Sequence, residues 1–473
     1  IYQNAFEWRF EFPEVLNDDG DYVGFDAVIG NPPYIQLQKA YNDTMKYGDL
    51  YKNMGYETFD RTGDIYCLFY EKGLQIAKDN GLLCYISSNK WMRAGYGEKL
   101  RNFFIKYNPL MLIDLGPGIF ESATVDTCIM MLQKAKSTGE YSLRAITIEK
   151  DKNISISIEQ QVRDKAVILS KLTKDAWFIG SDAEQKLKEK IERLGKPLKD
   201  WDVKIYYGIK TGLNEAFIID SDKRQEILDN CKDEDERRRT ETIIKPILRG
   251  RDIKRYYYEW AGLWVIIAKF GFYKESHLYP SIVQHLTRYE EQLKNRGQCK
   301  YNRQNKVNIN NKDYPGQHHW LELDNNPKEN YLKEFEKEKV VYPNMANRLV
   351  ACLDKSKFYV NQKCFIITGN NMRYICGLLN SNIEFWFFKK IGATLGREGF
   401  EMSKIFIEKL PVPPITTSNQ HMVSQIESLV DKILAAKKTN HAADTTTWEK
   451  EIDQLVYKLY ELTDEEIAIV EGK

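Results

Sequence analysis

The stretch Phe25-Asp-Ala-Val-Ile-Gly-Asn-Pro-Pro-Tyr34 constrains this chain more than any other. Its first residues form a short apolar run closed by Gly30, which predicts a buried parallel strand. Pro32 and Pro33 cannot donate to a ladder, and each restricts the residue before it, so the strand must stop at Asn31. The product is a stiff turn at the carboxyl end of a strand, which is where open α/β sheets place their chemistry. This turn carries an amide, a free carbonyl and an aromatic ring, a set suited to gripping a planar amine.

The chemistry such a turn supports follows from the amine. The lone pair of an exocyclic amine on a nucleobase is delocalised into the ring, so it is a poor nucleophile. Two acceptors on the amine hydrogens, the Asn31 side-chain oxygen and the Pro32 carbonyl, would draw the lone pair out of conjugation. Tyr34 would stack on the ring. No strong general base is required, because positioning and polarisation lower the barrier.

The chain around the turn alternates in type. Phe6, Trp8, Phe10 and Phe12 alternate with polar residues and predict a strand within 1–16, ending at the turn 17–20. Residues 36–60 read as a long polar loop, either functional or a plain surface loop. Apolar spacing over Ile65–Ala77 predicts a helix ended by Asn80-Gly81, then a buried strand Leu82–Ser87. A helix over Trp91–Tyr107 and strands Met111–Leu115 and Thr127–Leu132 complete an α/β pattern. Tyr141–Ile148 and Ile154–Ile158 have strand character. Beyond Trp177 come a helix over 182–194 and many short strands, including Ala216–Ile219, which predict a separate α+β domain. Glu226–Arg239 reads as one solvated helix, and 410–415 as an extended proline connector. The tail carries two apolar helical stripes and a capping box at Thr463–Glu466. The predicted domains are 1–165, 166–415 and 416–473.

Composition excludes some classes. The chain has 473 residues, room for two or three cores. No apolar run approaches the ~20 residues of a membrane span. Its eight cysteines are scattered with no Cys-x-x-Cys pair, as in a reduced cytosolic protein. Residues 241–320 hold 14 Lys/Arg against 7 Asp/Glu, while 420–473 hold 6 against 11. A polyanion is therefore expected on the middle of the chain. His318-His319 lacks partner ligands at suitable spacing, so no metal is expected. The chain opens on Ile rather than Met, which suggests a piece of a longer protein.

Asn31-Pro-Pro-Tyr34 after its strand resembles motif IV of the TaqI-like (γ-group) adenine-N6 DNA methyltransferases. Gly63-Asp-Ile-Tyr66 looks like the motif that follows, and 80–91 (Asn-Gly-Leu-Leu-Cys-Tyr-Ile-Ser-Ser-Asn-Lys-Trp) like the next strand motif. The stretch 118–127 (Gly-Ile-Phe-Glu-Ser-Ala-Thr-Val-Asp-Thr) resembles motif VIII, whose aromatic residue stacks on the flipped-out adenine. On that match Phe120 is the second stacking residue. The stretches 207–217 (Tyr-Gly-Ile-Lys-Thr-Gly-Leu-Asn-Glu-Ala-Phe), 245–256 (Lys-Pro-Ile-Leu-Arg-Gly-Arg-Asp-Ile-Lys-Arg-Tyr) and 410–414 resemble the C-terminal target-recognition domain of the same group. The resemblance covers nearly the whole chain, is weakest over 270–335, and is closest to the long forms in restriction–modification enzymes, including type IIG proteins.

That resemblance implies the C-terminal part of a Rossmann-like methyltransferase sheet, then an α+β target-recognition domain and a helical tail. It implies methyl transfer from S-adenosylmethionine to an adenine swung out of double-stranded DNA, with no metal, in a bacterial or archaeal cytoplasm. Asn31, Pro32, Pro33, Tyr34 and Phe120 would be catalytic, and Asn31, Pro33 and Asp64 would touch the cofactor. Asp64 reads equally as a helix cap. The family's other cofactor motifs precede motif IV and are absent here. Most of that pocket, and any nuclease domain, is expected in a missing N-terminal part, leaving this fragment inactive alone.

Arg249, Arg251, Lys254 and Arg255, followed by three tyrosines, suit phosphate positioning or guanine reading, though a charge run is also an ordinary solvated face. Lys210, Thr211, Arg303 (in the polar stretch 300–319) and Arg397 are weaker candidates for DNA contact. Two other functions stay open: a DNA-recognition module with a vestigial catalytic half, and a protein-glutamine N5-methyltransferase. Roughly three hundred residues after Thr127 argue against the second.

Overall fold

The computed structural model describes residues 7–39, 47–120, 125–148, 157–301, 313–395 and 399–473. The chain divides into two compact units, Ile1–Glu189 with Lys389–Phe400, and Lys190–Phe388 with Glu401–Lys473. Residues 166–189, grouped by sequence with the second domain, cluster with the first unit. Trp177 ties them there: its amide donates to the Met92 carbonyl, and its ring packs edge-on against Trp91.

The first unit is built on a six-stranded sheet. In chain order its strands are β1 (Phe25–Gly30), β2 (Ala77–Ser88), β3 (Asn108–Gly116), β4 (Thr127–Gln133), β5 (Leu143–Thr147) and β6 (Val167–Leu169), and their spatial order is β1-β2-β4-β3-β5-β6. β1 runs parallel to β2 and β3 parallel to β5, while β4 lies antiparallel between β2 and β3. β1, β2, β3 and β5 therefore all end at one edge of the sheet, and β4 begins there. A chain that leaves four strands on the same side collects their loops into one site.

Helices Tyr66–Ile76 and Gly97–Phe104 link β1 to β2 and β2 to β3. The first buries Tyr66, Tyr70 and Leu74, which pack with Leu83, Trp91, Phe104, Leu112 and Met130 in one apolar core. Gly73 permits the close approach of this helix to β2: a Cβ there would stand 2.7 Å from both Leu83 Cδ1 and the Tyr85 hydroxyl.

Several expectations change. β1 has the predicted position and parallel partner but is not buried. It pairs only with β2 among the described residues, and Ile29 is 80% exposed. Burial of an apolar strand requires a neighbour on each side, and β1 lies at the sheet's edge. The strand expected within 1–16 is instead two short helical turns, Trp8–Glu11 and Pro13–Val15, the second opened by its proline. The helix expected over Trp91–Tyr107 is a 3-10 turn, Asn89–Met92, followed by Gly97–Phe104, because two glycines interrupt it. Ser157 caps a helix, Ile158–Lys165, where strand character was expected; residues 149–156 lie outside the described residues.

The second unit has two four-stranded sheets. Cys352–Asp354, Lys339–Pro343, Cys364–Gly369 and Val203–Tyr207 pair antiparallel in that order. Tyr359–Val360, Ile244–Leu248, Trp264–Ile266 and Ile218–Ile219 form the other, with a parallel first pair. Residues 214–217 are helical rather than strand. The run 226–239 belongs to two helices, Ser221–Asp229 and Glu234–Ile243, and the Asp233 carboxylate caps the second by accepting from the Glu236 amide (2.7 Å). Helices Gln420–Thr439, Thr446–Leu459 and Asp464–Glu471 close the chain, the last with the predicted capping box. No helix among the described residues is long and apolar enough to cross a membrane.

A buried charge group stabilises this unit. His318 is fully buried, with Nε2 3.1 Å from Asp324 Oδ1, and Arg296 reaches the same oxygen at 3.3 Å. Burial pulls the imidazolium down, but the Asp324 carboxylate, then Cys299 and the His319 carbonyl, outweigh it and hold its pKa up at about 9. A pKa raised on folding adds stability that is complete below the unfolded value near 6.5 and is lost as pH rises through 9. Thermal melts between pH 6 and pH 10 are expected to show the midpoint falling across that window. In His318→Gln the fall is expected to shrink, and an unchanged pH profile in that variant would exclude the assignment.

Candidate active site

The predicted turn leaves β1 at the collecting edge. Asn31 and Pro33 are exposed, Pro32 is buried and Tyr34 is half-buried against the core. The Tyr34 hydroxyl donates to Asn31 Oδ1 (3.1 Å), so the amide oxygen rests on a hydrogen-bond donor. Burial, then the nearby Cys128 and Asp64, pushes the Tyr34 phenol up to about 12, and it stays a donor at neutral pH.

Phe120 follows β3 by four residues, in a turn whose Gly116 and Gly118 have φ of +63° and +76°. Side chains rarely adopt that region, so glycine is required at both. Phe120 and Tyr34 come together, ring centroids 6.2 Å apart and tilted by 53°. A flat ring held between two others needs about 7 Å, twice the ~3.5 Å carbon contact distance. At 6.2 Å and a 53° tilt the two rings do not yet form such a slot; Phe120 would have to turn as well as move outward by roughly 1 Å. Residues 121–124 lie outside the described residues.

Asp64 has a structural task. Its Oδ1 accepts from the Ile35 amide (2.7 Å), and the Ile65 amide donates to the Ile35 carbonyl (2.9 Å). Asp64 thereby pins the exit of the Asn31–Tyr34 turn to the start of the Tyr66–Ile76 helix. Its pKa is raised by burial, against which the amides of Ile35, Tyr66 and Ile65 and the charge of Lys90 act. The helix-capping reading of Asp64 has this geometry behind it.

Three groups were not legible. Tyr66 stands edge-on to Tyr34 at 6.4 Å, and its hydroxyl pairs with that of Tyr96 (2.9 Å), a residue thirty positions away. Asn89, at the end of β2, donates to Asp114 Oδ1 (2.9 Å), and the same oxygen accepts from the Gly116 amide (3.1 Å). That pair anchors the base of the Phe120 turn. The Ser-Ser-Asn-Lys quartet ending β2 was the available signal; Asp114 offered none, because its neighbours are all apolar.

The DNA-contact candidates separate on burial. Arg251 is exposed, with no hydrogen bond or ion pair among the described residues. Lys254 is half-buried, 4.0 Å from Glu259. Arg249 is instead clamped on Asp252 (2.8 Å), and Arg255 on Glu449 (2.8 Å) and the Asn380 carbonyl (2.8 Å). Lys210 lies 3.6 Å from Asp324 and is partly exposed. Thr211 is only 2% exposed, its hydroxyl donated to Asn214 Oδ1, so its side chain does not reach the surface. Arg303 and Arg397 lie outside the described residues.

Residues 1–120 match the Eco57I restriction-modification methylase family, and residues 245–412 match the TaqI-like C-terminal specificity domain. The chain carries an Eco57I-type methylase domain and a TaqI-like specificity domain. Its relatives are type II methyltransferases of restriction–modification systems. It is 24% identical to the type II methyltransferase M.BstVI of Geobacillus stearothermophilus, over 96% of this chain and 76% of that protein. It is 30% identical to the type II restriction enzyme and methyltransferase RM.Eco57I of Escherichia coli, over 41% of this chain but only 19% of the relative. The Type IIL restriction–modification enzyme MmeI, solved in complex with DNA, shares the fold with a TM-score of 0.61, covering 94% of this chain and 56% of that one at 12% identity. Asn31–Tyr34, Asp64 and Phe120 fall inside the methylase match, and Arg249–Arg255 falls inside the specificity match.

Proposed function

We propose that this chain transfers a methyl group from S-adenosylmethionine to the exocyclic amine of an adenine turned out of double-stranded DNA, and that its second unit reads the target sequence. The observation that carries the reading is the Asn31–Tyr34 turn at the strand-end edge with the Tyr34 and Phe120 rings 6.2 Å apart, inside the methylase-family match.

The incoming amine takes the place of the Tyr34 hydroxyl on Asn31 Oδ1. The Pro32 carbonyl accepts the second amine hydrogen. Both hydrogens then point at fixed acceptors, and the nitrogen lone pair is freed from the ring. Tyr34 and Phe120 stack on the two faces of the base and return part of the cost of unstacking it from the duplex. Asp64 and Tyr66 hold Tyr34's segment in place.

The exposed Asn31 and Pro33 fit the side of the methyl donor that faces the base. Asp64 fits less well, since its carboxylate is occupied by backbone amides. When bound, S-adenosylmethionine supplies the electrophilic methyl.

The test is transfer of a labelled methyl group to DNA by the protein carrying this chain, with the product mapped in DNA from an expressing host. N6-methyladenine at one recurring sequence is expected; label on cytosine, or none on DNA, would overturn the proposal. Phe120→Ala is expected to lower the 2-aminopurine fluorescence of an oligonucleotide with the analogue at the target, and to weaken the flipped complex by roughly 5- to 100-fold. Equal fluorescence in the variant would remove Phe120 from the site.

A further inference from the structure

The second unit holds a cleft of about 290 Å³ whose walls include Tyr206, Tyr207 and Tyr331, with Lys210, Asn325 and Lys328 around them. Tyr207 is 47% exposed, an unusual position for a large ring. It is nevertheless fixed at two points. Its hydroxyl accepts from Asn325 Nδ2 (3.1 Å), and its carbonyl accepts from the Tyr331 hydroxyl (2.7 Å). Asn325 is locked in turn by Gln298, which donates to its side-chain oxygen (2.8 Å) and accepts from its amide (2.8 Å). An exposed ring held rigid by a second layer of hydrogen bonds loses little entropy when something stacks on it.

The backbone here is also unusual. Asn325 and Asn326 both occupy the left-handed region, with φ of +66° and +50°. Two such residues in succession cost free energy, and strain of this kind gathers at ligand sites.

The cleft is cationic. Lys210 and the buried Arg296 and His318 all face the single carboxylate of Asp324. His318 stays protonated at neutral pH for the reason given above. Lys328 is exposed and adds a further positive charge, with no ion pair among the described residues. A ligand matching this cleft has a flat ring for Tyr207 and a negative charge for Lys210 and Lys328. Tyr207 and Lys210 belong to the stretch 207–217, for which the methyl-transfer chemistry has no use.

The geometry points to a second nucleotide site in this unit: a nucleobase stacks on the exposed face of Tyr207 while its phosphate rests on Lys210 and Lys328. The site is separate from the Tyr34–Phe120 pair and lies in the other unit of the chain. Such a nucleotide comes either from a DNA strand, a version that rests on the proposed DNA-reading function, or from a free mononucleotide.

The test is fluorescence anisotropy of a labelled single-stranded oligonucleotide of mixed sequence with the whole chain, and competition by AMP, over a range of salt. Tyr207→Ala is expected to weaken oligonucleotide binding by roughly 5- to 100-fold, the worth of one stacked base, while Tyr207→Phe keeps most of the affinity. Lys210→Gln is expected to reduce the slope of log affinity against log salt by roughly 0.7, one phosphate's share on a single strand. AMP competition that is lost in Tyr207→Ala assigns the site to a free nucleotide; oligonucleotide binding that depends on Tyr207 without AMP competition assigns it to a strand. Either supports the site. Melting curves of each variant separate loss of binding from loss of folding, and Lys210→Gln leaves the aromatic wall untouched. Equal affinity and salt slope in folded Tyr207→Ala, Lys210→Gln and parent would overturn the proposal. No methyl donor is present and no methyl transfer is measured, so that failure leaves the methylation reading standing.

Discussion

Asn31→Ala is expected to lower methyl transfer by roughly 10²- to 10³-fold while leaving DNA binding largely intact. The Asn31 side-chain oxygen is one of two acceptors proposed to polarise the amine, and removing one fixed polarising group costs about that much. The effect is catalytic rather than structural. Asn31 is exposed, and among the described residues its oxygen accepts from the Tyr34 hydroxyl alone. Substitutions at such positions change stability by about 0.5 kcal/mol or less. Tyr34→Phe is the control: it removes the resting hydrogen bond but keeps the stacking ring and the Asn31 acceptor. That variant is expected to retain most of the activity. Single-turnover methylation beside equilibrium DNA binding measures both. Parent-like turnover in Asn31→Ala would sink the role given to it.

The largest stability effect is expected at Lys339→Met. Lys339 and Asp354 are directly paired across two strands, and each is fully buried. The ammonium lies 2.5 Å from Asp354 Oδ2 and donates to the Phe335 carbonyl (2.6 Å), while the carboxylate also accepts from the amides of Ser356 and Phe358. Every charge in the group is satisfied. Removing the lysine leaves a buried carboxylate without its counter-ion, which typically costs about 3–5 kcal/mol. Urea unfolding followed by circular dichroism reads the loss directly. The double variant Lys339→Met with Asp354→Leu is expected to recover a large part of it, since an apolar pair of similar volume carries no desolvation cost. Single and double variants of equal stability would show that the pair is not the source.

Much of the fold was legible along the chain. The strand ending at Asn31, the helix after it, the strand pattern up to Gln133 and the tail with its Thr463–Glu466 capping box each rest on local signals: apolar period, prolines and caps. The failures were also local in origin. Alternating aromatics at 6–12 imitate a strand, but Pro13 starts a helical turn. The charge run 226–239 reads as one helix until Asp233, an acceptor three residues before Glu236, opens a second. The burial of β1 was misread because an apolar strand records what it is suited to pack against, not whether a neighbour is present. The four cations of that cluster differ from one another for a related reason. Charge in the sequence marks Arg249, Arg251, Lys254 and Arg255 alike, whereas the carboxylates that occupy Arg249 and Arg255 come from Asp252, three residues on, and from Glu449, nearly two hundred residues away.

The sequence by itself determined the chemistry at the strand end. Two prolines stop β1, an amide and an aromatic ring follow, and a second aromatic sits after a glycine turn. Only the tertiary structure decided how these groups meet. The β1-β2-β4-β3 order brings Tyr34 and Phe120 to 6.2 Å although 85 residues separate them. It also assigns Asp64 to backbone amides, and pairs Asn89 with Asp114 beneath the Phe120 turn. The physical reason is range: caps, turns and strand periods act within a few residues, while contacts across a sheet depend on strand order, which no single stretch encodes.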